Sequence, residues 1–202
     1  MKKIALLILM IAVYANGFGQ EAIKKGYFGI SLGPSIHTGG NVRFTNANPG
    51  IIPGSNEPEI GPGSVGFNFS FVDAGYTFDR NWGIAAKLQG GFFTNKADRK
   101  VLKSNYGAIL LGPMYSYEIH DELIIDFKAK GGRFFNVLDY TDEFANGTRI
   151  SEFDFGIELG VTARYHLSPA SSWFNSIDFQ NQFRGSGNIS RINIATGIAF
   201  RF

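Results

Sequence analysis

From Glu152 to Leu167 the chain alternates, almost without a break, between large apolar and small or polar residues. Phe153, Phe155, Ile157, Leu159, Val161, Ala163, Tyr165 and Leu167 share one side of a period-two strand, and Glu152, Asp154, Gly156, Glu158, Gly160, Thr162, Arg164 and His166 share the other. That is far beyond the roughly five or six residues of an ordinary strand. Such a strand needs an apolar medium on one side and a polar or crowded interior on the other. Its neighbours must repeat the same division.

Seven further segments do so. The first sets Phe28, Ile30, Leu32 and Ile36 against Gly29, Ser31, Gly33, Ser35 and His37. The third sets Trp82, Ile84, Ala86, Leu88 and Phe92 against Lys87 and Gln89; the fifth sets Leu123, Ile125, Phe127, Ala129 and Gly131 against Asp126, Lys128 and Lys130. In the seventh, Trp173, Ile177, Phe179 and Phe183 oppose Ser176, Asp178, Gln180, Gln182 and Arg184. The eighth sets Ile192, Ile194, Ile198, Phe200 and Phe202 against Asn193, Ala195, Gly197, Ala199 and Arg201, with Thr196 interrupting the apolar side. Two segments are irregular. The second runs Phe67, Phe69, Phe71 and then Ala74, Tyr76, Phe78, a change of parity that predicts a β-bulge near Val72 and Asp73. The fourth turns Ile109, Leu111, Tyr115, Tyr117 and Ile119 outward but then directs Leu110 and Met114 inward.

The links between these strands differ in length. Residues 38–63, 94–104 and 138–150 are longer and rich in Gly, Asn, Pro and charge, whereas 79–81, 120–122 and 168–172 are tight turns, as is the fourth link on the long side, 185–188. Tyr76, Phe78, Trp82, Tyr115, Tyr117, Tyr165 and Trp173 gather beside the tight turns, with Tyr27, Phe28, Phe200 and Phe202 at the ends of the first and last strands. A buried core gives no reason for Tyr and Trp to collect on one side of a fold; a membrane interface does. Composition agrees, with 26 glycines and 20 phenylalanines in 202 residues. Aromatic rings suit acyl chains, and glycines relieve crowding in a narrow lumen. A mean hydropathy of −0.03 is what alternating faces that cancel would give. Past Val13 no apolar run approaches the length of a membrane helix, so a crossing must be made by strands.

At the N-terminus, Lys2 and Lys3 precede an apolar run from Ile4 to Val13, followed by Gly17-Phe18-Gly19 with small residues at signal-peptidase spacing. The run is about half the roughly 20 residues an anchor needs. We therefore expect residues 1–19 to be a cleaved secretory signal and residues 20–202 to form one barrel domain. The absence of cysteine excludes disulfides, thiolate metal sites and a cysteine-linked lipid anchor. A formal net charge of +2, without a basic run, offers nothing to nucleic acid.

With these features in hand, the chain resembles the small OmpA/OmpX-type outer-membrane β-barrels, and Gly75-Tyr76-Thr77-Phe78-Asp79-Arg80-Asn81-Trp82-Gly83 resembles the strand-turn-strand units of their porin-family branch. The resemblance implies an all-β, eight-stranded, antiparallel up-and-down transmembrane barrel in the cell outer membrane. Ile198, Phe200 and Phe202 resemble the C-terminal signal read by the barrel-assembly machinery. Tyr76, Trp82, Tyr115, Tyr117, Tyr165 and Trp173 would form the periplasmic aromatic girdle, in contact with outer-membrane lipid.

A barrel of eight strands is just wide enough for its own side chains to fill. Lys87, Lys128, Lys130, Arg164, Arg184, Arg191 and Arg201 would share the lumen with Glu118, Asp126, Glu152, Asp154, Glu158 and Asp178, and buried charges must be paired. Lys128 with Glu158 is the expected pair between the fifth and sixth strands. The predicted function is a non-enzymatic envelope or surface-interaction protein, monomeric, without cofactor or metal, and with a closed or nearly closed lumen. The alternative is a narrow porin-like channel for water, ions or small solutes. For catalysis, Ser35 with His37 is the candidate pair near a long link; for calcium it is Asp139, Asp142 and Glu143. The 38–63 link is the expected place for a surface ligand.

Overall fold

The structure is a computed structural model that describes residues 25–40, 64–97, 100–142, 145–184 and 187–202; for 95–97, 100–102, 138–142 and 145–152 it describes the backbone alone. Eight antiparallel strands follow one another around a closed barrel: β1 (Gly26–Gly39), β2 (Val65–Thr77), β3 (Trp82–Ala97), β4 (Lys100–His120), β5 (Leu123–Asp142), β6 (Ala145–Ser168), β7 (Ser171–Phe183) and β8 (Ile189–Arg201). The sheet has no free edge, because β8 pairs back onto β1 from Tyr27↔Arg201 to Gly39↔Ser190. At the seam's end the Gly26 N–H donates to the Phe202 carbonyl at 2.9 Å, and the Phe202 N–H returns the bond at 3.0 Å. Closure satisfies the backbone internally, which a strand structure must do in lipid.

The alternation read in the sequence becomes a division between wall and lumen. Ile30, Leu32, Phe71, Ile109, Leu159, Ile177, Ile198 and Phe200 all lie on the exposed exterior, while Ser35, Asn68, Asp126, Glu158, Gln180 and Asn193 are wholly buried inside. The β-bulge falls one residue before the expected place. Ser70 pairs with Gln89 and Val72 with Leu88, leaving Phe71 as the extra residue. Its consequence is chemical, since it resets the parity so that Asp73 enters the lumen, 1% exposed.

Two of the expected long links are strands instead. Pairing continues to Ala97↔Lys100 between β3 and β4 and to Asp142↔Ala145 between β5 and β6. Gly, Asn and charge there mark a ribbon that has left the apolar medium, not a loop. As a result β4, β5 and β6 run to 21, 20 and 24 residues, against 13 for β2, β7 and β8. One wall of the barrel therefore stands taller at the long-link end. Residues 1–24, the 41–63 part of the first link and Glu143 lie outside the described residues, and Asp139 and Asp142 are described as backbone only.

Candidate functional site: a charged lumen between two arginine-tyrosine stacks

The lumen is built in three layers. Nearest the tight turns, Asp126 of β5 accepts from Arg164 Nε at 2.6 Å and Nη2 at 2.9 Å and from Ser116 Oγ at 2.7 Å. The planar guanidinium matches a carboxylate in two bonds, an arrangement no lysine can make. Its face lies 4.3 Å from the centre of the Tyr27 ring, which comes from β1 on the far side. Tyr27 completes the layer by donating from its hydroxyl to Asp73 Oδ1 at 3.2 Å.

The middle layer holds three lysines and three carboxylates. Lys87 of β3 reaches across the lumen to Asp178 Oδ2 on β7 at 2.7 Å and to Glu158 Oε2 on β6 at 3.4 Å. Lys128 of β5 crosses to Asp73 Oδ1 on β2 at 3.0 Å, and Lys130 meets Glu158 Oε1, its register partner, at 2.6 Å. Gln180 Nε2 also donates to Glu158, and Ser176 Oγ to Asp178 at 3.1 Å. The sequence expectation of Lys128 with Glu158 is thus corrected. Lys128 faces Gly160 in the ladder, whose missing side chain leaves it no neighbour there, so it extends to the opposite wall.

Toward the long-link end the guanidinium of Arg191, on β8, lies 3.9 Å from the Tyr106 ring centre on β4 and 5.5 Å from that of Phe134. Arg191 Nη2 donates to Gln182 at 3.0 Å, and Gln182 Nε2 donates to Asp154 at 2.6 Å, which Arg184 approaches at 3.5 Å. The Tyr106 hydroxyl lies 3.3 Å from both Ser35 Oγ and Asn193 Oδ1. β4 and β8 are diametrically opposed in an eight-strand ring, so this stack bridges the full lumen.

Not every residue lies where its type suggested. Tyr27 belongs to the lumen and not to the interfacial ring, being 1% exposed. Its parity matches Gly29 and Ser31, and parity outranks residue type in a pleated wall. Glu118 stands exposed at the tight-turn mouth, where Arg201 is half-buried, and the Glu152 side chain lies outside the described residues. Ser35 donates to Asn193 at 2.6 Å, whereas His37 Nε2 lies 2.7 Å from the Gly40 carbonyl. The two are not a nucleophile and its base. Among the described residues no three His, Cys, Asp or Glu side chains are grouped to hold a metal ion.

Asp73, Tyr106, Phe134 and Phe174 are lumen residues for which sequence reasoning had no role. The bulge parity points to Asp73, and simple alternation points to the three aromatics. On the exterior, Trp82 and Tyr115 pack edge to face at 5.2 Å, Trp173 Nε1 donates to Thr196 at 2.8 Å, and Tyr165 donates to Glu122 at 2.7 Å. Tyr76, Tyr117, Phe200 and Phe202 are exposed at the same end, and Ile198 lies beside Trp173 in the ladder.

This is the fold of the small eight-stranded outer-membrane β-barrels, of OmpA/OmpX type. No family model and no curated protein matches the sequence, but solved structures match the fold. Neisserial surface protein A aligns at a TM-score of 0.56 and 13% identity over 88% of this chain and 97% of its own. A major outer membrane protein from Thermus thermophilus aligns at 0.55 and 16% over 88% and 99%. Ail, the attachment invasion locus protein of Yersinia pestis, aligns at 0.51 and 13% over 88% and 99%.

Proposed function

We propose that this chain is an integral protein of the bacterial outer membrane, without enzymatic activity, whose plugged barrel serves as a scaffold for envelope structure or surface interaction. The lumen carries the argument. Its two arginine-tyrosine stacks and the ion-paired layer between them set buried side chains across the lumen at three levels, which supports a plugged barrel. A charge removed from such a layer would leave its partner buried alone, so the network resists opening. The tight turns and the Trp and Tyr residues beside them would face the periplasm, with residues 1–19 removed on export and Ile198, Phe200 and Phe202 read by the assembly machinery. The tall β4–β6 wall and the 38–63 link would face outward. Ail has also been solved in complex with the heparin analogue sucrose octasulfate. A surface ligand taken at the outer end, by a monomer, is the corresponding reading here.

A narrow water-filled passage is the second reading. Ser31 Oγ, Ser70 Oγ and both amide atoms of Gln89 are buried without hydrogen-bond partners, and the ladder sets Ser31 beside Ser70 and Ser70 beside Gln89. Such a row calls for water. Planar-bilayer recordings on the refolded protein distinguish the two. Silence in the parent is expected; steady channels altered by Glu158→Ala or Arg164→Ala would make the passage the primary function.

A further inference from the structure

The apolar exterior of the barrel carries a charged residue among the described residues of β5. Arg133 on β5 points outward and is exposed, paired with Ile109 on one side and Phe155 on the other, both about half exposed to the surroundings. Its level can be read from the ladder. β5 climbs eight residues from Ile125, the partner of Tyr117, to Arg133. At roughly 3.3 Å per residue and a tilt of about 40° this is about 20 Å along the barrel axis. An apolar band is about 25 Å tall, so Arg133 emerges near the edge opposite the Tyr and Trp ring. Beyond it on β4, Asn105 and Lys103 are exposed on the same outward side, four and six residues past Ile109, the ladder partner of Arg133.

The neighbouring strands differ. At this edge β6 presents Phe153 and Phe155, β7 Phe183 and β3 Phe92, all exposed. Among the residues whose side chains are described, the outward cations of this edge lie on the β4–β5 face. Arg133 makes no ion pair within that set. Two glycines flatten the wall beside it, and aromatic rings cover them: Phe135 lies 3.6 Å from a Cβ placed at Gly107, and Phe155 3.3 Å from one at Gly131. The face thus offers ring surface for an acyl chain with a bidentate donor directly above, and a second cation where a headgroup would continue.

We propose that this β4–β5 face binds an anionic glycolipid of the outer leaflet, with Arg133 on its phosphate and Lys103 further along its headgroup. A guanidinium pairs with phosphate through two parallel hydrogen bonds, and at the boundary of the hydrocarbon it meets phosphate without being drawn into the apolar band. This rests on the outer-membrane reading above.

The test uses the full mature barrel in nanodiscs of neutral phosphatidylcholine doped with diphosphorylated lipid A, or with the same lipid after phosphatase treatment. Heat-modified migration in the undoped discs first establishes that each protein is folded and inserted. If the parent fails there, the membrane reading fails and not the lipid site. Lipid retained through detergent exchange is then counted by native mass spectrometry. Phosphorylated lipid is expected to be retained several-fold over the dephosphorylated form, with the preference lost in Arg133→Gln, reduced in Lys103→Gln and unchanged in Lys25→Gln at the opposite rim. Equal retention of the two lipids by the folded parent, or an unchanged preference in Arg133→Gln, would overturn the site.

Discussion

Asp126 shows why single residues matter so much in a lumen this narrow. It is wholly buried, and three of its hydrogen bonds come from Arg164 and Ser116. Asp126→Ala would leave the guanidinium buried without its counter-charge, a change that costs about 3–5 kcal/mol in comparable pairs. We expect urea unfolding in micelles to report a loss of that size, and Asp126→Ala combined with Arg164→Met to recover much of it. A double variant no more stable than the single one would mean that the pair itself holds the wall together. Gly75 acts through space. A Cβ there would run into the Tyr27 ring and come within 2.9 Å of Met114 Sδ. Gly75→Val should therefore destabilise by about 1–3 kcal/mol through overpacking, and the same unfolding experiment checks it.

Among the strands, the decisive device is the bulge in β2. By adding Phe71 it lets the wall keep Phe69 and Phe71 outside, their rings 4.6 Å apart, while Asp73 turns in to receive Lys128. Deleting Phe71 would remove the extra residue and restore strict alternation, with Val72 outward and Asp73 still inward. The deletion is expected to reach the heat-modifiable folded form with Asp73 still available to Lys128, and failure to fold would show that the bulge itself is needed to close the sheet. The two stacks join different strand pairs, β1 with β6 and β4 with β8, and lie in series along one lumen. Removing one should leave the other closed. Tyr27→Ala and Tyr106→Ala are each expected to stay silent in planar bilayers, and the double variant to conduct.

For the barrel as a body, the proposed membrane supplies the missing half of the core. Its apolar side chains are outside, so a charge is costly according to depth. Ile177 is exposed midway along β7, and Ile177→Arg should cost about 2–4 kcal/mol; Phe183→Arg, at the long-link edge, should cost about 0–1 kcal/mol. Equal penalties, measured by unfolding in lipid vesicles, would mean that the apolar band is placed elsewhere on the wall.

The strands, their inward and outward faces and the side of the tight turns could all be read from local pattern, because a pleated strand fixes direction by parity alone. Lys87, Lys128, Lys130, Glu158, Arg164, Asp178 and Arg191 are identifiable as inward on that basis, and Tyr27 would have been, had its parity been weighed above its ring. Which of them meet could not be read that way. Lys87 finds Asp178, Lys128 finds Asp73 and Arg191 finds Tyr106 across the barrel, at sequence separations of 91, 55 and 85 residues. Those partners depend on the stagger accumulated around eight strands and on the bulge in β2, quantities that exist only once the sheet has closed on itself. The extension of β3 to β6 beyond the apolar band was hidden for a related reason. A ribbon with water on both faces needs no alternation, and its pairing is held by backbone hydrogen bonds that every residue but proline can make.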